Sequence, residues 1–183
     1  MKAIVLALAF SALALFGADT VAADDKQAID QEVKAALKTL YEKEPGAEAL
    51  GAKASGILVF PNVRRAGLVV SGQSGDGAML KKGKIADYYS SNAIAVGLEA
   101  GAQSYSVALF FMTDAALKDF ESRDDYEIGA GANVVFVEAG AAAGAGSTTS
   151  PAGVYGFVFG QKGLMGGISL QGTKIKKTGS AAK

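Results

Sequence analysis

Ala78-Met79-Leu80-Lys81-Lys82-Gly83-Lys84-Ile85-Ala86-Asp87-Tyr88-Tyr89-Ser90 carries the clearest turn in the chain. Lys82-Gly83-Lys84 separates the apolar pair Met79-Leu80 from Ile85, and the flanks read as strands over Ala78–Lys82 and Ile85–Ser90. Outward from this turn, short strands broken by glycine continue from Gly56 to Gly172. They are expected at Ile57–Phe60, Gly67–Gln73, Ala93–Ala102, Ser104–Met112, Glu127–Glu138, Val154–Gln161 and Leu164–Ile175. Several alternate apolar with polar or small residues, as half-buried antiparallel strands do. The 183 residues include 24 glycines, about twice the ~7% average. Glycine inside a strand weakens it unless a bend, a bulge or a close backbone approach is needed. The pattern therefore predicts a strongly curved, barrel-like sheet.

Helices flank and interrupt these strands. Ile29, Val33, Leu37 and Leu40 recur on one face of a helix over residues 24–44, which Glu44-Pro45-Gly46 ends. Pro45 opens a short second helix running to Ala54. Thr113 or Asp114 caps a helix near residues 113–121 whose Leu117 and Phe120 face inward. The expected fold class is α+β: an N-terminal helix packed on a curved, glycine-rich antiparallel sheet. Ala139–Gly153, almost wholly Ala, Gly, Ser and Thr, is expected to be a flexible loop, and residues 178–183 a disordered tail.

The first residues read as an export signal. Met1-Lys2 precedes an apolar run from Ala3 to Gly17, and Val21-Ala22-Ala23 places small residues before Asp24. The run is short of the roughly 20 residues of a spanning helix. Cleavage after Ala23 would leave residues 24–183 as one periplasmic or secreted domain. That domain has no cysteine for lipid attachment.

Composition removes whole classes of function. The chain has no His, Cys or Trp, so histidine-activated nucleophiles, thiolate zinc sites and iron–sulfur clusters are excluded. Its 18 basic and 18 acidic residues balance, unlike the strongly basic domains that bind nucleic acid. Motifs fail in detail. Gly72-Gln73-Ser74-Gly75-Asp76 lacks the last glycine of a nucleophile elbow. Gly83-Lys84 falls one residue late for a phosphate loop and is followed by Ile85. Asp124, Asp125 and Glu127 lack calcium-loop spacing and read as a solvated acidic turn. The expectation is a non-enzyme with no metal and no cofactor.

Charge is unevenly distributed along the chain. Arg64, Arg65, Lys81, Lys82 and Lys84 face only Asp76 within residues 64–84, and residues 162–183 hold five lysines and no acid. Residues 114–127 are acidic. If the two basic segments meet, they form a patch for an anionic surface, each cation contributing about 1 kcal/mol near an anionic membrane.

The opening block Gly56-Ile57-Leu58-Val59-Phe60-Pro61-Asn62-Val63, with Arg65, Gly67, Gly72, Gly75 and Gly77 after it, resembles that of the SYLF domain. Tyr88-Tyr89-Ser90, Gly101-Ala102-Gln103-Ser104 and Leu109-Phe110-Phe111-Met112 resemble its middle blocks. Val158-Phe159-Gly160-Gln161-Lys162-Gly163-Leu164-Met165 and Gly172-Thr173-Lys174-Ile175 resemble its last. Asp87, Glu99 and Gln171 depart from the pattern. The resemblance covers roughly residues 28–176 and implies phospholipid binding, with acidic phospholipids the natural ligand of a bacterial member. Some eukaryotic members bind actin, a property not carried to an exported chain. Arg65, Lys162 and Lys174 fall within the resembling blocks.

The expected function is peripheral, non-catalytic binding of an anionic phospholipid membrane surface. Arg64, Arg65, Lys81, Lys82, Lys84, Lys162, Lys174, Lys176 and Lys177 are the expected lipid-binding residues. The rival readings are a cell-envelope protein-interaction module and a carrier of a hydrophobic ligand inside the barrel.

Overall fold

A computed structural model describes residues 18–96, 101–129, 134–137, 153–163 and 170–181, with side chains described from Asp25 onward except that of Val96. Most of the expected export signal, most of the Ala139–Gly153 segment and the last two residues lie outside this set. Among the described residues three helices accompany one sheet: α1 (Ala18–Lys43), α2 (Pro45–Gly51) and α3 (Asp114–Glu121). The strands are β1 (Gly56–Gly67), β2 (Val70–Lys81), β3 (Lys84–Val96), β4 (Gly101–Phe111), β5 (Tyr126–Glu127), β6 (Val134–Val137), β7 (Val154–Gly163) and β8 (Lys174–Ser180). They form a single curled half-barrel in the order β5-β8-β3-β2-β1-β4-β7-β6. The fold is α+β with a curved sheet.

Each face of the sheet carries its own core. On one face, Ile57, Val59, Ala78, Leu80, Ala108, Phe110 and Phe157 pack under α1 and α2. Val33 and Leu40 of α1 are fully buried there, on the stripe that the heptad-like spacing predicts. The Tyr88 hydroxyl donates to Asp30 Oδ1 at 2.9 Å and fastens the helix to β3. Pro45 sits in the first turn of α2, where its missing N–H costs nothing. On the other face, Leu58, Phe60, Met79, Tyr89, Leu109 and Phe111 meet α3, whose Leu117 and Phe120 point inward. Thr113 caps that helix by accepting the Ala116 N–H at 3.1 Å. Phe120 lies within 5.2 Å of the Tyr89, Phe111 and Tyr126 rings.

The strands differ from the sequence expectation in length, continuity and ending. Gly67–Gln73 and Ala78–Lys82 were expected as separate strands, yet Val70–Lys81 is one, and the turn lies at Leu68-Val69. Ile85–Ser90 likewise continues into the following segment. The glycines do not break β2. At Gly77 a Cβ atom would fall 2.2 Å from the Val59 carbonyl oxygen and 2.6 Å from the Phe60 ring. Glycine there permits close packing on β1 rather than a break. The sheet is antiparallel except for β6 and β7, which run parallel. Residues 178–180, expected to be disordered, pair in β8, and the Ala181 N–H donates to the Ala86 carbonyl at 2.9 Å. The Lys82-Gly83 turn joins β2 to β3 with φ of 51° and 74°, the left-handed pair of a two-residue hairpin.

One irregularity in β1 decides which side chains face outward. Leu58 and Phe60 point to the α3 face, and the pairing of β1 with β4 then shifts register between Phe60 and Val63. Ser106 Oγ donates to the Pro61 carbonyl at 2.7 Å within this bulge. The extra residue reverses the alternation, so Val63 and Arg65 resume the α3 face and Arg64 turns to the α1 face.

Candidate anionic-surface site

The bulge places Arg64 at the centre of a row crossing six strands on the α1 face. Pairing runs from Lys174 to Asn92, Ser74, Arg64, Ser104 and Lys162 in turn. Strands lie ~4.8 Å apart, so Arg64 stands about 10 Å from Lys162 and about 14 Å from Lys174. Small neutral side chains fill the positions between. All three cations are exposed. Among the described residues none has an ion-pair partner within 4.0 Å.

Two grooves lie along α1 beside this row. One, of about 450 Å³, is lined by Ile29, Asn62, Arg64, Ser74 and Asn92. The other, of about 480 Å³, is lined by Thr39, Lys43, Ser104, Phe159 and Lys162. Glu32 and Asn62 line both. Among the described residues, Glu32, Asp76 in the first groove, and Glu127, which stands opposite Lys174 on β5, are carboxylates beside the row.

The nine expected residues divide into four groups. Arg64, Lys162 and Lys174 form the row. Arg65 is only 4% exposed and lies on the opposite face, which removes it from any surface site. Its Nε donates to Ser71 Oγ at 3.4 Å within a buried polar cluster. There the Tyr105 hydroxyl donates to Gln73, and Gln73 Nε2 to Thr173 Oγ1 at 3.5 Å. Burial pushes the Tyr105 hydroxyl up to about 12, against the lowering effect of the Arg65 charge.

Lys81, Lys176 and Lys177 are bound to carboxylates of this chain. Lys177 Nζ is 2.6 Å from Asp87, Lys176 Nζ is 2.9 Å from Asp125, and Lys81 pairs with Glu121. Asp125 belongs to the turn expected to be solvated, and its salt bridge uses up one expected site lysine. Burial alone would raise the Asp87 carboxyl. Hydrogen bonds from Lys177 and Ser180 and the charges of Lys177 and Lys81 outweigh that and hold it below the usual carboxylate range. Lys82 and Lys84 are exposed at the β2–β3 turn. Eight residue steps along β2 or β3 separate them from the row, about 26 Å at 3.3 Å per residue.

The basic segments thus meet only in part. Sequence reasoning also missed the neutral spacers Ser74, Asn92 and Ser104, and Glu32 across the groove. Only strand register and helix docking bring these together. Among the described residues no group of acidic side chains is arranged to hold a metal ion. Nor is any described helix long and apolar enough to cross a membrane.

Comparison with curated proteins finds no match. A family model described as Las17-binding protein actin regulator, Ysc84, matches residues 92–183. The match takes in β4, α3, β7 and β8, and so the blocks holding Lys162 and Lys174. The opening SYLF-like block with Arg64 precedes it. Half of the chain, in the order of the SYLF blocks, is thereby accounted for, and the chain belongs to the Ysc84 (SYLF) family.

Proposed function

We propose that the domain binds anionic phospholipid headgroups, without catalysis, through Arg64, Lys162 and Lys174, and that it does so as an exported protein. The observation that carries this reading is the row itself: three exposed cations on one face, spaced by small neutral side chains and lacking ion-pair partners among the described residues. Lysines held by Asp87, Asp125 and Glu121 have their charge satisfied internally. At about 1 kcal/mol for each cation, the row supplies roughly 3 kcal/mol, or about 150-fold in affinity.

The test is vesicle cosedimentation of the Arg64→Gln/Lys162→Gln/Lys174→Gln triple variant. Lys82→Gln/Lys84→Gln at the opposite end of the sheet serves as the control. The triple variant should lose about a hundredfold in affinity for phosphatidylglycerol vesicles, and the control little. The wild-type binding should fade with salt, because exposed charges are screened within a Debye length of ~8 Å at physiological ionic strength. Equal losses in both variants would reject the row.

The family description names a protein-binding activity, which favours a protein-interaction module as the second reading. That reading predicts a partner retained in high salt and no dependence on lipid. The carrier reading calls for an open apolar interior, whereas the described α3 face is filled by Phe60, Phe111, Phe120, Tyr89 and Tyr105.

A further inference from the structure

The β1–β2 turn breaks the usual chemistry of a hairpin. Gly67 pairs with Ser71, and Leu68 and Val69 of the turn and Val70 at the start of β2 stand between them. Tight turns favour Gly, Asn and Asp, which tolerate the required backbone and suit water. Here three apolar residues stand 72%, 57% and 57% exposed, and Ile94 on β3 beside them 81% exposed. Among the described residues these four are exposed large apolar side chains at one end of the sheet. The other exposed large apolar residues described, Val135 and Phe136, lie on the edge strand β6.

The position of the turn gives it a partner. Leu68 follows the end of β1, four residues beyond Arg64, and Ile94 is two residues beyond Asn92 of the cation row. At 3.3 Å per residue the tip projects about 13 Å past Arg64 and less along the axis of a tilted strand. A polar interface of roughly 5–8 Å flanks the hydrocarbon core of a bilayer. A tip seated at the acyl boundary thus leaves long basic side chains in reach of phosphates, since Lys and Arg extend their charged ends toward the headgroups. A contiguous exposed apolar patch marks an interaction site. An apolar turn backed by exposed cations complements both the acyl boundary and the anionic headgroups of a bilayer.

We propose that Leu68, Val69 and Val70, with Ile94, form a membrane-inserting tip. It enters the headgroup–acyl boundary of an anionic phospholipid bilayer while the Arg64–Lys162–Lys174 row holds the headgroups. This rests on the headgroup-binding reading above and adds insertion to it. Charge supplies the salt-sensitive capture and the tip the salt-resistant retention.

The chain contains no tryptophan, so Leu68→Trp gives the full-length protein a single indole at the tip. Lys84→Trp places the reporter at the far end of the sheet. On vesicles of phosphatidylcholine and phosphatidylglycerol, the Leu68→Trp emission should shift to the blue and be quenched by brominated acyl chains. Lys84→Trp should do neither. Leu68→Ser/Val69→Ser should keep the wild-type melting temperature and its salt-sensitive capture, yet lose at least tenfold of the binding that survives high salt.

A water-exposed indole on vesicle-bound protein would overturn insertion while leaving headgroup binding intact. Tip-dependent dimers in lipid-free solution, abolished by the serine pair, would reassign the tip to a second copy of the chain. No binding of wild-type protein to these vesicles would remove both proposals.

Discussion

Arg64 and Arg65 are adjacent in sequence and opposite in role, and reversing each to glutamate separates the two. Arg65 is 4% exposed and sits with Ser71, Gln73 and Tyr105. A carboxylate at that position is a buried charge in a cluster arranged around a cation. Breaking such an arrangement costs about 3–5 kcal/mol. For a domain of this size each kcal/mol moves the melting temperature by ~2–4 °C, so Arg65→Glu should melt about 6–20 °C lower. Arg64 is exposed and has no ion-pair partner among the described residues, so Arg64→Glu should change stability by no more than about 0.5 kcal/mol. Binding behaves in the opposite way. Reversal at Arg64 changes the row by two charges, about 2 kcal/mol, or roughly 30-fold in affinity for anionic vesicles. Below its melting temperature Arg65→Glu should bind within a few-fold of wild type. Circular dichroism melts and vesicle cosedimentation measure both quantities on the same preparations. An Arg65→Glu protein that melts with wild type would refute the face assignment and the bulge that produces it.

Two further outcomes follow from the charges around the row and at the other end of the sheet. Glu32 is the α1 carboxylate shared by both grooves, so Glu32→Gln should tighten binding to anionic vesicles by about fivefold, one charge being worth ~1 kcal/mol; weaker binding would mean that the grooves do not face the headgroups. Asp87 is held below the ordinary carboxylate value of 3.8, so its ion pairs stabilise the fold above that value and cease to as pH falls through the lower folded value. Asp87→Asn should therefore lose about 1–3 kcal/mol at neutral pH, with the gap to wild type closing in acid. Urea unfolding at the two pH values checks this, and a gap independent of pH would show that the loss is not ionic.

Much of the scaffold was legible in the sequence because its signals are local. Val33 and Leu40 recur on one helical face and are buried there. Thr113 has the short side-chain oxygen that an N-terminal cap needs, and it caps α3. Lys82-Gly83 takes the left-handed turn between β2 and β3. The same local reading failed at Gly77, which looks like a strand breaker until the Val59 carbonyl and the Phe60 ring are seen against it. It failed also at Leu68-Val69, where β-branched and apolar residues look like strand and the chain turns instead.

The amino-acid sequence by itself determined the kind of protein: an α+β domain lacking His and Cys, with neutral total charge and the blocks of its family. Only the tertiary structure decided which cations are available. Lys81, Lys176 and Lys177 are held by acids brought near by chain folding, at separations in sequence from 40 residues upward. Arg64 and Arg65 exchange faces because one extra residue in β1 reverses a period-two alternation. Lys162 and Lys174 join Arg64 through strand register alone. A charge in a sequence has a sign but no neighbours, and its neighbours determine whether it remains available to a ligand.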